Sequence, residues 1–426
     1  MALLEQILSR PNLARAYDQV VRNRGSSGVD GVEVYDLANY LHDNWLRIKA
    51  RIETGTYRPQ AVLGVEIPKP NGGTRLLGIP TVIDRLIQQA IHQVLSPLWE
   101  SDFSVHSYGF RPGRNAQQAV LQAQTYINEG CQDIIDLDLK SFFDEVNHDI
   151  LMSLLRQKVK DVRLLKLIRR YLQAGLLLGG VMTPRPKGTP QGGPLSPLLS
   201  NILLNELDQE LLHRGLRFVR YADDCSIFLR SLRSARRVKE SITRFLEGQL
   251  RLKVNEEKTG IRRPVRFELL GYGFVPTYRK GERGKYNLRV SPKAFKRLKL
   301  KIKVITRKTS PMSFGERIDR LNKLVHGWVN YFKLANTWRK LKELDSWVRN
   351  RLRYCIWKQW KKPDRRRRAF IQLGIPPDQA YAWSRSRMSG WAIACSPIMR
   401  TTVTVERLQK RGYLSFTDYY LKIVHG

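Results

Sequence analysis

Asp223 and Asp224 stand side by side within Phe218-Val219-Arg220-Tyr221-Ala222-Asp223-Asp224-Cys225-Ser226-Ile227-Phe228-Leu229, between two apolar runs rich in β-forming residues. The flanks predict the arms of a β-hairpin, with Ala222-Asp223-Asp224 at or near its bend. Two adjacent carboxylates repel each other and resist burial unless positive charge sits beside them. A pair of divalent cations supplies that charge, and an oxygen-only ligand set suits magnesium. The alternative is a solvated Asp-Asp turn between surface strands, for which these flanks are unusually apolar.

Two further stretches belong with this one. In Asp133-Ile134-Ile135-Asp136-Leu137-Asp138-Leu139 aspartates alternate with apolar residues, and a period of two puts Asp136 and Asp138 on one face of a strand. Lys187-Gly188-Thr189-Pro190-Gln191-Gly192-Gly193-Pro194-Leu195-Ser196-Pro197 reads as a loop that opens a helix over 198–212. Together they form the set that two-metal nucleotidyl transfer needs, because carboxylates from separate strands must clamp two magnesium ions a few Å apart.

The elements that would position these groups follow from pattern. Residues 1–60 predict short amphipathic helices around a Gly/Ser-rich loop at 22–32. A hairpin follows, Val62 to Ile67 and Thr74 to Ile79, with Lys69 and Arg75 at its shoulders. After Pro80, Ile83, Leu86, Ile87, Ala90, Ile91 and Val94 recur at helical spacing. The segment 109–115 predicts a loop, 234–250 a helix and Lys253-Val254-Asn255 a short strand. Beyond a polar loop near 278–285 come three amphipathic helices. The first, around 293–308, carries eight Lys/Arg and no acid. After Pro363 the chain reads as basic and less regular.

Composition narrows the partners. Among 426 residues, 75 Lys+Arg against 38 Asp+Glu give a net charge of +37. Solubility does not require that imbalance; it points to a polyanion, nucleic acid first and an anionic membrane surface second. Basic residues alternate with structured motifs rather than lining one amphipathic helix, which disfavours the membrane. No signal-peptide pattern opens the chain, and no apolar run is long enough to span a bilayer. Cys131, Cys225, Cys355 and Cys395 are scattered, so neither a zinc knuckle nor a disulfide framework is indicated.

Tyr221-Ala222-Asp223-Asp224, the 188–197 loop, Asp138-Leu139-Lys140-Ser141-Phe142-Phe143-Asp144 and Ser107-Tyr108-Gly109-Phe110-Arg111-Pro112-Gly113-Arg114 resemble, in order and spacing, the reverse transcriptases encoded by bacterial group II introns, which also act as maturases. The resemblance implies an α+β right-hand polymerase. Its parts would be an N-terminal extension with a lid-like loop (1–60), fingers and palm with an antiparallel sheet (61–275), a three-helix thumb (293–362) and a basic C-terminal nucleic-acid-binding segment (363–426). Asp138, Asp223 and Asp224 match the family's catalytic metal ligands, with Mg2+ as the cofactor. Asp136 shares a face with Asp138. Lys69 and Arg75 match residues that hold the triphosphate, Gln191 one lying along the incoming nucleotide, and Phe143 the aromatic gate beneath its sugar. Lys258 sits where polymerases keep a lysine that protonates pyrophosphate. Arg111, Arg114, Lys296, Lys299, Lys303, Arg365, Arg366, Arg367 and Arg368 are candidate nucleic-acid contacts.

The implied partners are intron RNA, an RNA template with a DNA primer, deoxynucleoside triphosphates and target DNA, with no membrane and a cytoplasmic location. The Cys/His-bearing endonuclease domain of longer relatives is not expected. Two alternatives stay open: an RNA chaperone with vestigial polymerisation, and a reverse transcriptase domesticated for repair or defence. Intact Asp138, Asp223, Asp224 and Gln191 argue against the first, because RNA folding needs no paired acids.

Overall fold

The computed structural model describes residues 2–68, 72–278, 281–282 and 284–425. Lys69 and the tip of its hairpin lie outside the described residues. The chain divides into two compact units, 1–263 and 264–426.

The first unit opens with the helices Leu3–Ile7, Arg10–Asn23 and Leu37–Glu53. Leu4, Ile7, Ala16, Ile48 and Ile52 join the same core as Ile83, Leu86, Ile87 and Ile91 of helix Val82–Glu100. That helix starts sharply because Thr81 caps it, its hydroxyl accepting from the Asp84 amide at 3.2 Å. Asp84 is itself buried and satisfied, accepting from Tyr57, Thr81, Tyr171 and the Gln60 amide. The predicted hairpin forms as Val62–Pro68 against Thr74–Ile79, in a sheet extended by Leu176–Leu178 and Val181–Thr183.

The second sheet of this unit carries the aspartates singled out from the sequence. Its order is Arg217–Tyr221, Asp224–Leu229, Asp133–Leu137, Gly260–Arg262, all antiparallel. Ile134, Ile135, Leu137, Phe218, Ile227 and Phe228 are buried, which is what the alternation and apolar flanks required. The strand expected at 253–255 reduces to a single bridge, Val254 opposite Leu139. Its neighbouring bonds run beside Asp138, with Lys140 N–H to the Lys253 carbonyl at 2.8 Å and Asn255 N–H to the Asp138 carbonyl at 2.9 Å.

The second unit opens with the strands Glu268–Leu269, Tyr272–Pro276 and Tyr286–Val290. Helices Pro292–Ile305, Phe314–Phe332 and Trp338–Gln359 follow, as their periodicity predicts. The segment after Pro363 is more regular than its sequence suggests. It forms six short helices between Pro363 and His425, and Phe370, Ile393, Met399 and Phe416 enter the same core as Leu298, Leu321 and Val348. Each helix spans too few turns for a hydrophobic period to show. The clasp is Asp345, buried in Trp338–Gln359, which accepts from the Tyr413 hydroxyl (2.9 Å), the Ser415 hydroxyl (2.9 Å), the Phe416 and Thr417 amides (2.9 and 2.8 Å) and the Thr417 hydroxyl (2.6 Å). No described helix is long and apolar enough to cross a membrane.

Candidate active site

Three carboxylates meet at one end of the antiparallel sheet. Tyr221 pairs with Asp224, so Ala222 and Asp223 are the two central residues of a tight hairpin turn. Ala222 takes φ +57°, a conformation that the first position of such turns normally gives to glycine. On the facing strand Leu137 pairs with Cys225, and the register carried one residue further sets Asp138 opposite Asp224. The Thr259 hydroxyl fixes the Asp138 backbone, lying 3.1 Å from its N–H and 3.3 Å from its carbonyl. Nothing in the sequence marked Thr259 for this task.

The acids feel one another. Asp223 is pushed above the usual carboxylate range by desolvation and by the charge of Asp138. Asp224 is pushed up to about 6, first by desolvation against the sheet and then by Asp223, Asp138 and Asp136, although the residue as a whole keeps solvent access. Such a cluster is deficient in positive charge. Lys258 meets part of the deficit, its Nζ 3.3 Å from Asp138 Oδ2. Asp136 is paired with Arg262 at 2.9 Å. Among the described residues no three acid, histidine or cysteine groups close into a metal cage. The donors nevertheless fit a divalent cation in kind and in charge. They are all oxygens, and added cations would relieve the repulsion that Lys258 leaves.

The glycine-rich loop lies against both neighbours of this site. Thr189 N–H donates to the Phe143 carbonyl at 2.6 Å, and Gly78 N–H to the Gln191 carbonyl at 2.8 Å. A Cβ on Gly192 would sit 2.4 Å from the Gly78 carbonyl oxygen, so the loop approaches strand Thr74–Ile79 as closely as only glycine permits. Arg75 Nε donates to Gln191 Oε1 at 2.5 Å, bringing together two of the residues singled out from sequence. Phe143 is half-buried, its ring 5.2 Å from that of Phe142 and the other side partly open.

The basic candidates separate. Arg111 is corrected: it is buried, and its guanidinium pairs with Glu100 at 2.7 Å and donates to the Ser104 and Ser107 carbonyls. No N–H face is left to meet a phosphate, so it holds its own loop. Arg114 is half-buried over the Tyr108 ring at 5.6 Å. Lys296, Lys299 and Lys303 are exposed on helix Pro292–Ile305. The run 365–368 divides: Arg365 and Arg368 are exposed, Arg366 stacks on Trp357 at 4.0 Å and donates to the Trp360 carbonyl, and Arg367 lies over Tyr381 at 5.5 Å. Sequence reasoning also missed the buried pair Arg220–Asp208, although a charge inside an apolar strand arm demands a buried partner.

Known proteins with similar sequences bear on this geometry. A family model described as reverse transcriptase (RNA-dependent DNA polymerase) matches residues 67–274, and one described as group II intron, maturase-specific domain matches 295–371. Protein YkfC of Escherichia coli K12 is 33% identical over 300 residues, 61% of this chain and 78% of that protein. Group II intron-encoded protein LtrA of Lactococcus lactis subsp. cremoris is 36% identical over 219 residues, 51% of this chain but 36% of LtrA. The putative COX1/OXI3 intron 1 protein of Saccharomyces cerevisiae is 25% identical over 401 residues, 73% of this chain and 47% of that protein. The chain thus spans most of YkfC and less than half of the other two.

Proposed function

The chain belongs to the family of group II intron-encoded reverse transcriptases and maturases, RNA-directed DNA polymerases with a right-hand fold, and we propose that Asp138, Asp223 and Asp224 are the residues that carry its nucleotidyl transfer. The observation that carries this reading is the register that sets Asp138 opposite Asp224, with Asp223 in the adjoining turn and the acids raising one another's proton affinity. Two magnesium ions held there would supply Lewis acidity at the attacking and leaving oxygens.

The chain's own groups then have distinct tasks. The primer 3′-oxygen attacks the α-phosphorus of a deoxynucleoside triphosphate, and the bond to the bridging oxygen of pyrophosphate breaks. Arg75 offers a planar fork to the phosphates, with Lys69 as a point charge. Before substrate arrives, Gln191 Oε1 holds the Arg75 guanidinium in place. Phe143 would pack its ring beneath the sugar, where a ribose 2′-hydroxyl would project. Lys258, paired with Asp138, would give a proton from its Nζ to pyrophosphate.

Nucleic acid is the partner class that the two matched domains imply. Its finer identity is part of the proposal: an RNA template with a DNA primer, the parent intron RNA whose splicing the protein assists, and target DNA, all met in the cytoplasm. The exposed Lys296, Lys299 and Lys303 would follow duplex phosphates. The test is extension of a DNA primer on an RNA template with magnesium. Asp223→Asn should abolish extension and keep RNA binding. Full extension by that variant overturns the assignment.

A further inference from the structure

The turn that bears Asp223 is held from beneath by a network with no exposed member. Arg220 and Asp208 are each 0% exposed, and Asn201 is 1% exposed. Arg220 lies in the hairpin arm, with Asp208 and Asn201 on helix Ser196–His213. Arg220 Nε and Nη2 donate to the two Asp208 carboxylate oxygens at 2.7 and 2.5 Å. The remaining Nη1 donates to Asn201 Oδ1 at 2.9 Å and to the Ala222 carbonyl at 3.0 Å. Asn201 Nδ2 in turn donates to the Gly109 carbonyl at 2.9 Å.

A second restraint reaches the same residue from the loop 104–111. Arg220 N–H donates to the His106 carbonyl and Tyr108 N–H to the Arg220 carbonyl, both at 2.9 Å. Gly109 follows, and a Cβ there would lie 2.3 Å from the Ala222 nitrogen. Ala222 holds its left-handed φ between these two contacts, with its carbonyl on Arg220 and its nitrogen against Gly109. The loop is itself pinned by Arg111 through the Ser104 and Ser107 carbonyls.

A buried ion pair is a poor way to gain stability, because well-packed apolar residues often do as well. In this pair the third arm of the guanidinium is shared between Asn201 and the backbone carbonyl of the residue immediately before Asp223. Metal ligands work only when outer partners hold them in place. We infer that Arg220, supported by Asp208 and Asn201 and by the close approach of Gly109, is a positioning residue that fixes the Ala222 turn and so presents Asp223 and Asp224 to Asp138 as a preformed ligand set. The inference rests on reading those acids as metal ligands. It also gives the Ser107–Arg114 motif a task, which is to back the turn rather than to meet nucleic acid at Arg111.

The experiment measures Mn2+ affinity of the full chain, without nucleic acid, by electron paramagnetic resonance, alongside melting temperature and RNA binding. Asp223→Asn is the control that identifies the signal of this site. Gly109→Ala touches no charge and pushes directly on the turn. Arg220→Lys keeps a cation for Asp208 but has no second arm for the Ala222 carbonyl. Each should weaken Mn2+ binding about 10–100-fold, the range typical of lost outer-shell partners, with RNA binding kept. Where either variant does not fold, the double change Arg220→Met with Asp208→Leu removes both charges together and should show the same loss in a folded protein. A Mn2+ signal lost in Asp223→Asn but intact in these folded variants overturns the positioning role alone. A signal indifferent to Asp223→Asn overturns the metal-site reading, and the positioning role with it.

Discussion

Asp345 in the second unit and the Asp223–Asp224 pair in the first are carboxylates in opposite situations. Asp345 accepts from three hydroxyls and two amides, so its charge is fully met within the fold. Asp223 and Asp224 face other acids, and their proton affinity rises first because folding removes them from water and then because it gathers negative charge around them. The difference separates an acid that holds the fold together from acids that the fold holds for something else. Satisfied hydrogen bonding marks the first, and repulsion only partly relieved the second.

The contrast is broken or sharpened most forcefully at Asp223. Asp223→Asn should lower primer extension by more than the roughly 10–100-fold that lost outer-shell partners cost. Its melting temperature without metal should hold or rise, since a like charge has been removed. A variant that melts lower would place Asp223 with Asp345, among the acids that stabilise. Asp345→Ala should show the reverse pattern, costing at least about 3 kcal/mol because several bonds to a charged acceptor vanish and their buried donors are stranded. Limited proteolysis should then cut near 413–417; an unchanged melting curve and digestion pattern would end the distinction.

A smaller effect lies in pH. Asp224 has its folded pKa raised from the ordinary 3.8 to about 6, so its favourable contribution to stability is full below about 3.8 and is lost as pH rises through about 6. A divalent cation competes with the same proton. Mn2+ affinity should therefore climb between about pH 5 and pH 7, and Asp224→Asn should flatten that climb. An equally steep climb in the variant would assign the proton elsewhere. The smallest change expected is at the second unit's surface. Replacing exposed Arg365 and Arg368 with Ala should reduce the salt dependence of RNA binding by about one to two units of slope with little effect on melting. Arg366→Ala, which unstacks Trp357, should lower melting instead.

Much of the site could be read before folding because its signals are local. Alternating Asp136 and Asp138, the apolar arms around Asp223-Asp224 and the Gly/Pro punctuation around Gln191 each fix an element within a few residues. Arg111 was misjudged for the opposite reason. An arginine in a Pro/Gly loop of a basic protein looks like a phosphate contact, whereas its partner Glu100 is on the preceding helix and its burial is a tertiary property. Thr259 reaches Asp138 across 121 positions, beyond any pattern in the chain. The helices after Pro363 escaped notice because their apolar faces are completed by Phe370, Ile393 and Phe416 meeting a distant core.

The clasp at Asp345 also dictates an order of events during synthesis. Its donors lie 68 to 72 residues further along the chain. At about 5–20 residues per second, helix Trp338–Gln359 is complete for several seconds before those donors have been made. During that interval the carboxylate lacks the five donors that it meets in the finished fold. The Asp345 clasp thus closes only once residues 413–417 have been translated, and a chain that stops before them lacks every donor that this carboxylate meets in the finished fold.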